Sequence, residues 1–199
     1  MAGLREQKKA ETRKAIIDAA VQLFSNKGFE KTSIEDIATV AGIGKATVYT
    51  YFSAKVDIFL TYCDDELEGA FSELATKQSR ASDLHEQLLE FFMIMFRFVT
   101  RDREFGRQLM RATSFPEEAN PALKEHNKYY FDFLENIFRS AAQRGEIATG
   151  QDYYYLSAHV FSLYFAALAG FYGGYSETAE DVENGLSIFF RQFIDGIKP

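Results

Sequence analysis

Residues 31–55, KTSIEDIATVAGIGKATVYTYFSAK, read as two short helices joined by a tight turn. Thr32, Ser33, Ile34 and Glu35 make a capping-box pattern, with a hydroxyl at the helix start and a carboxylate three residues on. Ile34, Ile37 and Ala38 recur at helical spacing and give the first helix an apolar stripe. Ala41, Gly42 and Ile43 form the turn; Gly42 supplies backbone freedom, and Ile43 can fold back into a small core. The second helix is expected over residues 44–52, with Val48 and Phe52, four apart, facing inward. Lys45, Thr47, Tyr49, Thr50 and Tyr51 are left on the outer arc, which holds one cation, two hydroxyls, two phenols and no carboxylate. Such a face suits the major groove of DNA, where Thr and Lys reach base edges and Tyr hydroxyls and Lys reach phosphates. A plain surface helix that happens to lack acids is the competing reading. It does not require the cap, the turn and the inward residues to agree as well.

Residues 12–60 closely resemble the DNA-binding region of TetR (tetracycline repressor-like) family transcription regulators. The resemblance is carried by Ile16, Ala19-Ala20, Leu23-Phe24, Gly28, Thr32, Ile37-Ala38, Ala41-Gly42, Thr47-Val48-Tyr49, Tyr51-Phe52 and Lys55. It implies an all-α fold of about nine helices. An N-terminal three-helix helix-turn-helix DNA-binding domain would occupy residues 1–56, and a helical regulatory, ligand-binding and dimerisation domain residues 57–199. The DNA-contacting residues expected on this basis are Thr32, Ser33, Lys45, Ala46, Thr47, Tyr49, Thr50, Tyr51 and Lys55. Two positions depart from the family pattern. Gly44 stands where a capping Ser is usual, which weakens the cap of the second helix. Ala46 replaces a common Gly and puts a methyl where backbone approaches DNA. Both bear on sequence preference and not on class.

The distribution of charge agrees with this reading better than its total. The 199 residues carry a net charge of −7, which by itself argues against a nucleic-acid partner. Residues 1–56 hold nine Lys/Arg and six Asp/Glu, a net of +3; the rest hold 13 basic and 23 acidic residues, a net of −10. A basic head meets phosphate while an acidic body is held off it. The single cysteine, Cys63, excludes an internal disulfide and fits a reducing, cytoplasmic setting. The first residues show no apolar signal-peptide core.

A first helix is expected over residues 4–27, with Arg5, Lys8, Lys9, Arg13 and Lys14 as a basic, frayed front that can touch phosphate. Ile16, Ala20, Leu23 and Phe24 would cover the helix-turn-helix, and Gly28 would end the helix. A long fourth helix follows, starting at Ser53 or Ala54 and running to about residue 77. Lys55 in its first turn opposes the helix dipole, so phosphate contact is the better reason for it. Asp64, Asp65, Glu66 and Glu68 form an acidic cluster read as a solvated face.

Residues 80–83 break the chain. Residues 84–99 are apolar around most of their circumference and read as a central core helix. A short helix over 103–112, a loop over 113–121 punctuated by Pro116 and Pro121, and a helix over 123–143 come next. Residues 153–175, YYYLSAHVFSLYFAALAGFYGGY, contain no Lys, Arg, Asp or Glu and are long enough to cross a bilayer. Their six Tyr, their His, Ser and Gly, and the lack of a basic flank argue against a membrane. A helix apolar all round can instead be covered by its own core and by a second subunit. The last helix, capped by Thr178 and striped with apolar residues, completes half of a four-helix homodimer seam. The seam is expected to use Tyr153, Leu156, Val160, Ala167, Phe171, Leu186, Phe189, Phe190 and Phe193.

No catalytic constellation emerges. His85, His126 and His159 have no carboxylate three residues upstream, and HExxH, GxxxxGK[ST] and GxSxG are absent. No metal site or cofactor is expected. The resemblance implies a cavity in the regulatory domain for a small-molecule effector, apolar or aromatic, whose binding releases a repressor from its operator. Its lining candidates are Phe92, Met95, Phe96, Val99, Leu109, Met110, Tyr130, Phe133, His159, Leu163 and Tyr164. Plain core packing is the bland role for each. A ligand-independent DNA-binding protein and a helical small-molecule binder are the alternatives.

Overall fold

The computed structural model describes residues 2–78, 83–114 and 120–199. All regular structure among them is helical: α1 (Ala2–Lys27), α2 (Ile34–Ala41), α3 (Lys45–Tyr51), α4 (Lys55–Gln78), α5 (Leu84–Thr100), α6 (Arg103–Ser114), α7 (Pro121–Gln143), α8 (Tyr153–Gly173) and α9 (Ala179–Asp195). The basic front of α1 is helical from Ala2 onward. Several helix ends shift by a residue or two from expectation, α1 opening at Ala2 and α4 at Lys55. α6 continues past Thr113, and α7 opens at Pro121, whose fixed φ and missing N–H suit a first helical position. The Asn120 side chain completes that start by accepting from the amides of Ala122 (2.7 Å) and Leu123 (3.3 Å). Pro116 and the break at residues 80–82 lie outside the described residues. Asp83, at the end of that break, caps α5 by accepting from the Glu86 amide at 2.8 Å.

The chain divides into two compact units. The first, Met1–Glu66 with Val99–His126, contains α1, α2, α3 and α6. Its head is organised around Ile16, Ala20, Ile37, Val48 and Phe52, all buried. The capping box of α2 sits one residue later than expected. Ser33, not Thr32, is the N-cap, and Asp36, not Glu35, reaches back to it. The reason is burial, because the Thr32 hydroxyl is already donated to the Gly28 carbonyl at 2.8 Å. Gly42 then closes α2 at φ 70, a left-handed conformation that glycine adopts without strain. The acids of α4 disperse onto separate partners: Asp64 onto His126 (2.6 Å), Asp65 onto Arg13 (3.7 Å) and Glu66 onto Arg101 (3.0 Å).

The second unit comprises Leu67–Phe98 and Asn127–Pro199. α5 is its central helix, with Leu88, Phe91, Phe92 and Met93 almost wholly buried. Phe71, Phe91 and Phe133 stack at 4.8 and 5.3 Å, and Phe92 packs on Tyr164 (5.0 Å) and Phe190 (5.3 Å). Phe71, Phe91, Phe92 and Phe190, which are fully buried, each stabilise the unit by about 1.5–3 kcal/mol. α8 and α9 form an antiparallel hairpin closed by Gly174 at φ 80, with His159 near the start of α8 against Phe193 near the end of α9. Thr178 and Asp181 build a capping box at the start of α9.

Candidate functional site

The two-helix motif presents its polar face outward. Val48 (0 % exposed) and Phe52 (4 %) anchor α3 to the head, while Lys45, Ala46, Thr47, Tyr49 and Thr50 are exposed and Tyr51 is half-buried. Gly44 is the N-cap and supplies no side-chain bond, as expected from its lack of a hydroxyl. The Thr50 hydroxyl donates to the Ala46 carbonyl at 3.1 Å, which leaves its oxygen facing solvent as an acceptor. Lys45 lies over the Tyr49 ring at 5.9 Å.

Three neighbours of α3 behave differently from expectation. Thr32 is 2 % exposed, so its side chain braces the turn after α1 instead of meeting a partner. Lys55 is turned inward: its ammonium donates to the carbonyls of Phe29 (2.6 Å) and Thr32 (2.9 Å) and sits 4.2 Å from the Phe29 ring centroid. Burial lowers its pKa from the ordinary lysine value. It therefore ties the loop before α2 to the start of α4, a role that opposition to a helix dipole does not reveal. Glu35 is the third. It projects from the first turn of α2 and forms an ion pair with Lys45. That hydrogen bond holds the Glu35 carboxyl below, and the Lys45 ammonium above, their ordinary values. The outer arc of α3 is free of acids in sequence, but α2 brings one to it. Opposite charges ten apart across a helix-turn-helix were the available signal. Ser33 remains exposed, with its hydroxyl and amide engaged by Asp36.

The expected effector residues fall in both units. Val99, Leu109 and Met110 belong to the first, the others to the second. Within the second unit Phe92, Met95, Phe96, Tyr130 and Tyr164 are buried, while Phe133 and Leu163 are half-buried. His159 is exposed and rests its ring on Phe193, so it faces no interior. Tyr164 stands apart. It is 2 % exposed among Phe92, Phe161 and Phe165, and its hydroxyl has no hydrogen-bond partner. Desolvation, with a smaller contribution from Tyr172, raises its pKa far above the usual phenol value, so it is a neutral donor at any physiological pH. An unmade buried hydrogen bond costs about 1–3 kcal/mol.

α8 has two unlike faces. Leu156, Val160, Tyr164 and Leu168 are buried within the chain, and so are Leu186, Phe190 and Phe193 of α9. Of the residues expected at a subunit seam, Leu156, Val160, Leu186, Phe190 and Phe193 are thus core beneath a face and not the face itself. Tyr153, Ala167, Phe171 and Phe189 are half-buried. The open stripe is Tyr155, Ser162, Ala166 and Ala169 on α8, with Ile188, 56 % exposed, on α9.

Comparison with known proteins agrees with this geometry. The pattern for bacterial regulatory proteins of the tetR family matches residues 16–62. The fatty acid metabolism regulator protein of Bacillus subtilis is 26% identical over 140 residues, which cover 69% of this chain and 71% of that one. Alignments with the curated relatives span from 27% to 71% of the relatives' own length. Two solved structures share the fold. Thermus thermophilus FadR, a TetR-family transcriptional repressor in complex with lauroyl-CoA, superposes with a TM-score of 0.75 at 20% identity, covering 89% of this chain and 93% of that one. Bacillus subtilis FadR in complex with stearoyl-CoA gives 0.67 at 21% identity, covering 92% and 98%. A capped helix-turn-helix under a polar recognition helix, followed by a helical body, defines a DNA-binding transcription regulator. The chain belongs to the tetR family of bacterial regulatory proteins.

Proposed function

We propose that the chain is a homodimeric, cytoplasmic repressor that leaves its operator when an apolar acyl ligand enters the second unit. In this reading residues 1–56 read DNA and residues 57–199 regulate. The observation that carries it is the outward face of α3, with Lys45, Thr47, Tyr49 and Thr50 exposed on a helix pinned by Val48 and Phe52. In this reading Thr47 meets base edges and Tyr49 a phosphate, and a two-fold dimer would set the two copies of α3 about one DNA turn apart, roughly 34 Å. The open stripe of α8 and α9 supports the dimer, since an apolar helix left uncovered on one side calls for a partner.

The acyl assignment rests on relatives named for fatty acid regulation or solved with acyl-CoA, joined to the unpartnered Tyr164 hydroxyl. An acyl carbonyl beside that hydroxyl would supply its missing acceptor, while the surrounding rings receive the alkyl chain. α4, α5 and α7 each hold residues of both units and are covalent routes between them. The test is direct. A duplex selected from random DNA is titrated with the protein, then with lauroyl-CoA or stearoyl-CoA added. Operator affinity is expected to fall about 5–150-fold, a coupling of about 1–3 kcal/mol. Tight acyl binding with unchanged operator affinity would end this reading. The close ring packing of Phe71, Phe91 and Phe133 favours the rival, a DNA binder with a filled second unit. Under that rival, mass spectrometry finds no retained acyl ligand, and the Tyr164→Phe variant regulates like the parent.

A further inference from the structure

A pocket lies wholly within the first unit, between the end of α1, the start of α4 and α6, with a volume of about 130 Å³. Its walls are rings. Phe24, Phe29, Phe59, Tyr62 and Phe105 run in a continuous chain with neighbouring centroids 5.0 to 6.0 Å apart. Its mouth is charged by Arg101, Asp102 and Glu104. The guanidinium of Arg101 is already committed: it pairs with Glu66 at 3.0 Å, bonds the Tyr62 hydroxyl, and lies 5.4 Å from both the Tyr62 and Phe105 centroids. Asp102 accepts from the Phe105 amide and Glu104 from the Gln108 side chain, both at 2.7 Å. With Glu66, three carboxylates stand around this pocket against two cations, Arg101 and the Lys55 ammonium over Phe29, so its surroundings carry a net negative charge that repels an anion.

Ring faces carry negative quadrupole charge and attract cations. These rings already do so with the chain's own groups, Lys55 at 4.2 Å over Phe29 and Arg101 over Tyr62 and Phe105. We propose that this pocket binds a small organic cation, a substituted amine or quaternary ammonium, and that its occupancy bears on the DNA-binding head. A cavity of about 150 Å³ admits benzene, so this one takes a compact group of about five to seven heavy atoms. Phe29 is the connection. The same residue lines the pocket and offers its carbonyl and ring to Lys55, next to the N-cap of α2.

The test is calorimetric titration of the full-length protein with tetramethylammonium chloride, ionic strength held with NaCl, and in parallel with tert-butanol, its uncharged counterpart in shape. Saturable cation binding is expected, with the alcohol about tenfold weaker. In the double variant Asp102→Asn and Glu104→Gln, both hydrogen bonds can persist while the charge is lost. Its melting temperature should hold and its cation affinity should fall about fivefold. If that variant fails to fold, Ser25→Phe at the exposed wall fills the mouth and should abolish the heat. Absence of saturable binding, equal binding of the alcohol, or an affinity unmoved by the variants would each overturn the site. Operator affinity should shift at least about threefold at saturating cation; no shift beyond the NaCl-matched control would overturn its bearing on the head. Neither acyl ligand nor DNA enters the first titration, so its result is separable from the repressor reading.

Discussion

Lys45 is the cation of α3, and its neighbour Glu35 holds its ammonium in an ion pair. The pair is exposed on both sides, so water and salt screen it. Glu35→Gln should therefore tighten operator binding several-fold at low salt and steepen the salt dependence by about one phosphate contact. Fluorescence anisotropy across a KCl series measures both. Because the hydrogen bond lowers the Glu35 pKa, the carboxylate stays ionised above its ordinary value of 4.5 and the pair is lost only as pH falls through the lowered one. Operator affinity should consequently gain nothing from release of Lys45 between pH 7 and pH 5. Lys55 predicts the opposite kind of result. Its two bonds to carbonyls are hydrogen bonds from a charged donor, so Lys55→Ala should cost the head about 1.5–3 kcal/mol, read as a lower melting temperature. Its salt slope should stay within about half a contact of the parent. At this scale the sequence showed which residue types the motif holds but not which way each faces. Thr32 and Lys55 match the family pattern through packing, and burial is a property of the fold and not of the motif.

Among the elements, α8 separates what periodicity can show from what it cannot. Its length, its lack of charge and its pairing with α9 were all legible. The choice of open stripe was not, because a helix apolar all round has no asymmetry to read. The start of α2 was displaced by one residue for a related reason. Two adjacent hydroxyls, Thr32 and Ser33, each have an acid three residues on, and only burial of the first decides between them. The open stripe makes a sharp prediction. Ala166 is exposed, so Ala166→Glu places a charge on the uncovered face. Sedimentation should show a dimer become a monomer while the melting curve of the subunit is retained. Operator affinity should fall by about a hundredfold or more, since two half-sites no longer bind as one. A monomer that keeps full operator affinity would remove the two-fold reading of α3.

For the whole molecule, regulation is a statement about linked equilibria. An effector that weakens operator binding by some factor must itself bind the operator-bound protein more weakly by the same factor. The hydroxyl of Tyr164 gives this a local handle. In the free protein the buried group lacks a partner, so Tyr164→Phe removes an unsatisfied donor and should leave stability unchanged or raise it by about 1 kcal/mol. In the acyl-bound protein the same change removes the bond that the ligand would complete. Its effect should therefore appear as a melting temperature without ligand that is unchanged or raised, a loss of acyl-CoA affinity, and no change in operator affinity when ligand is absent. The reciprocal measurement is lauroyl-CoA binding with and without saturating duplex, in parent and variant. In the parent the two affinities should differ by the factor found in the operator titration. In Tyr164→Phe both should weaken together if the hydroxyl binds ligand equally in the two states, and the ratio should shrink if it binds only in the released one. That ratio separates a residue that holds the effector from one that converts its binding into release of DNA.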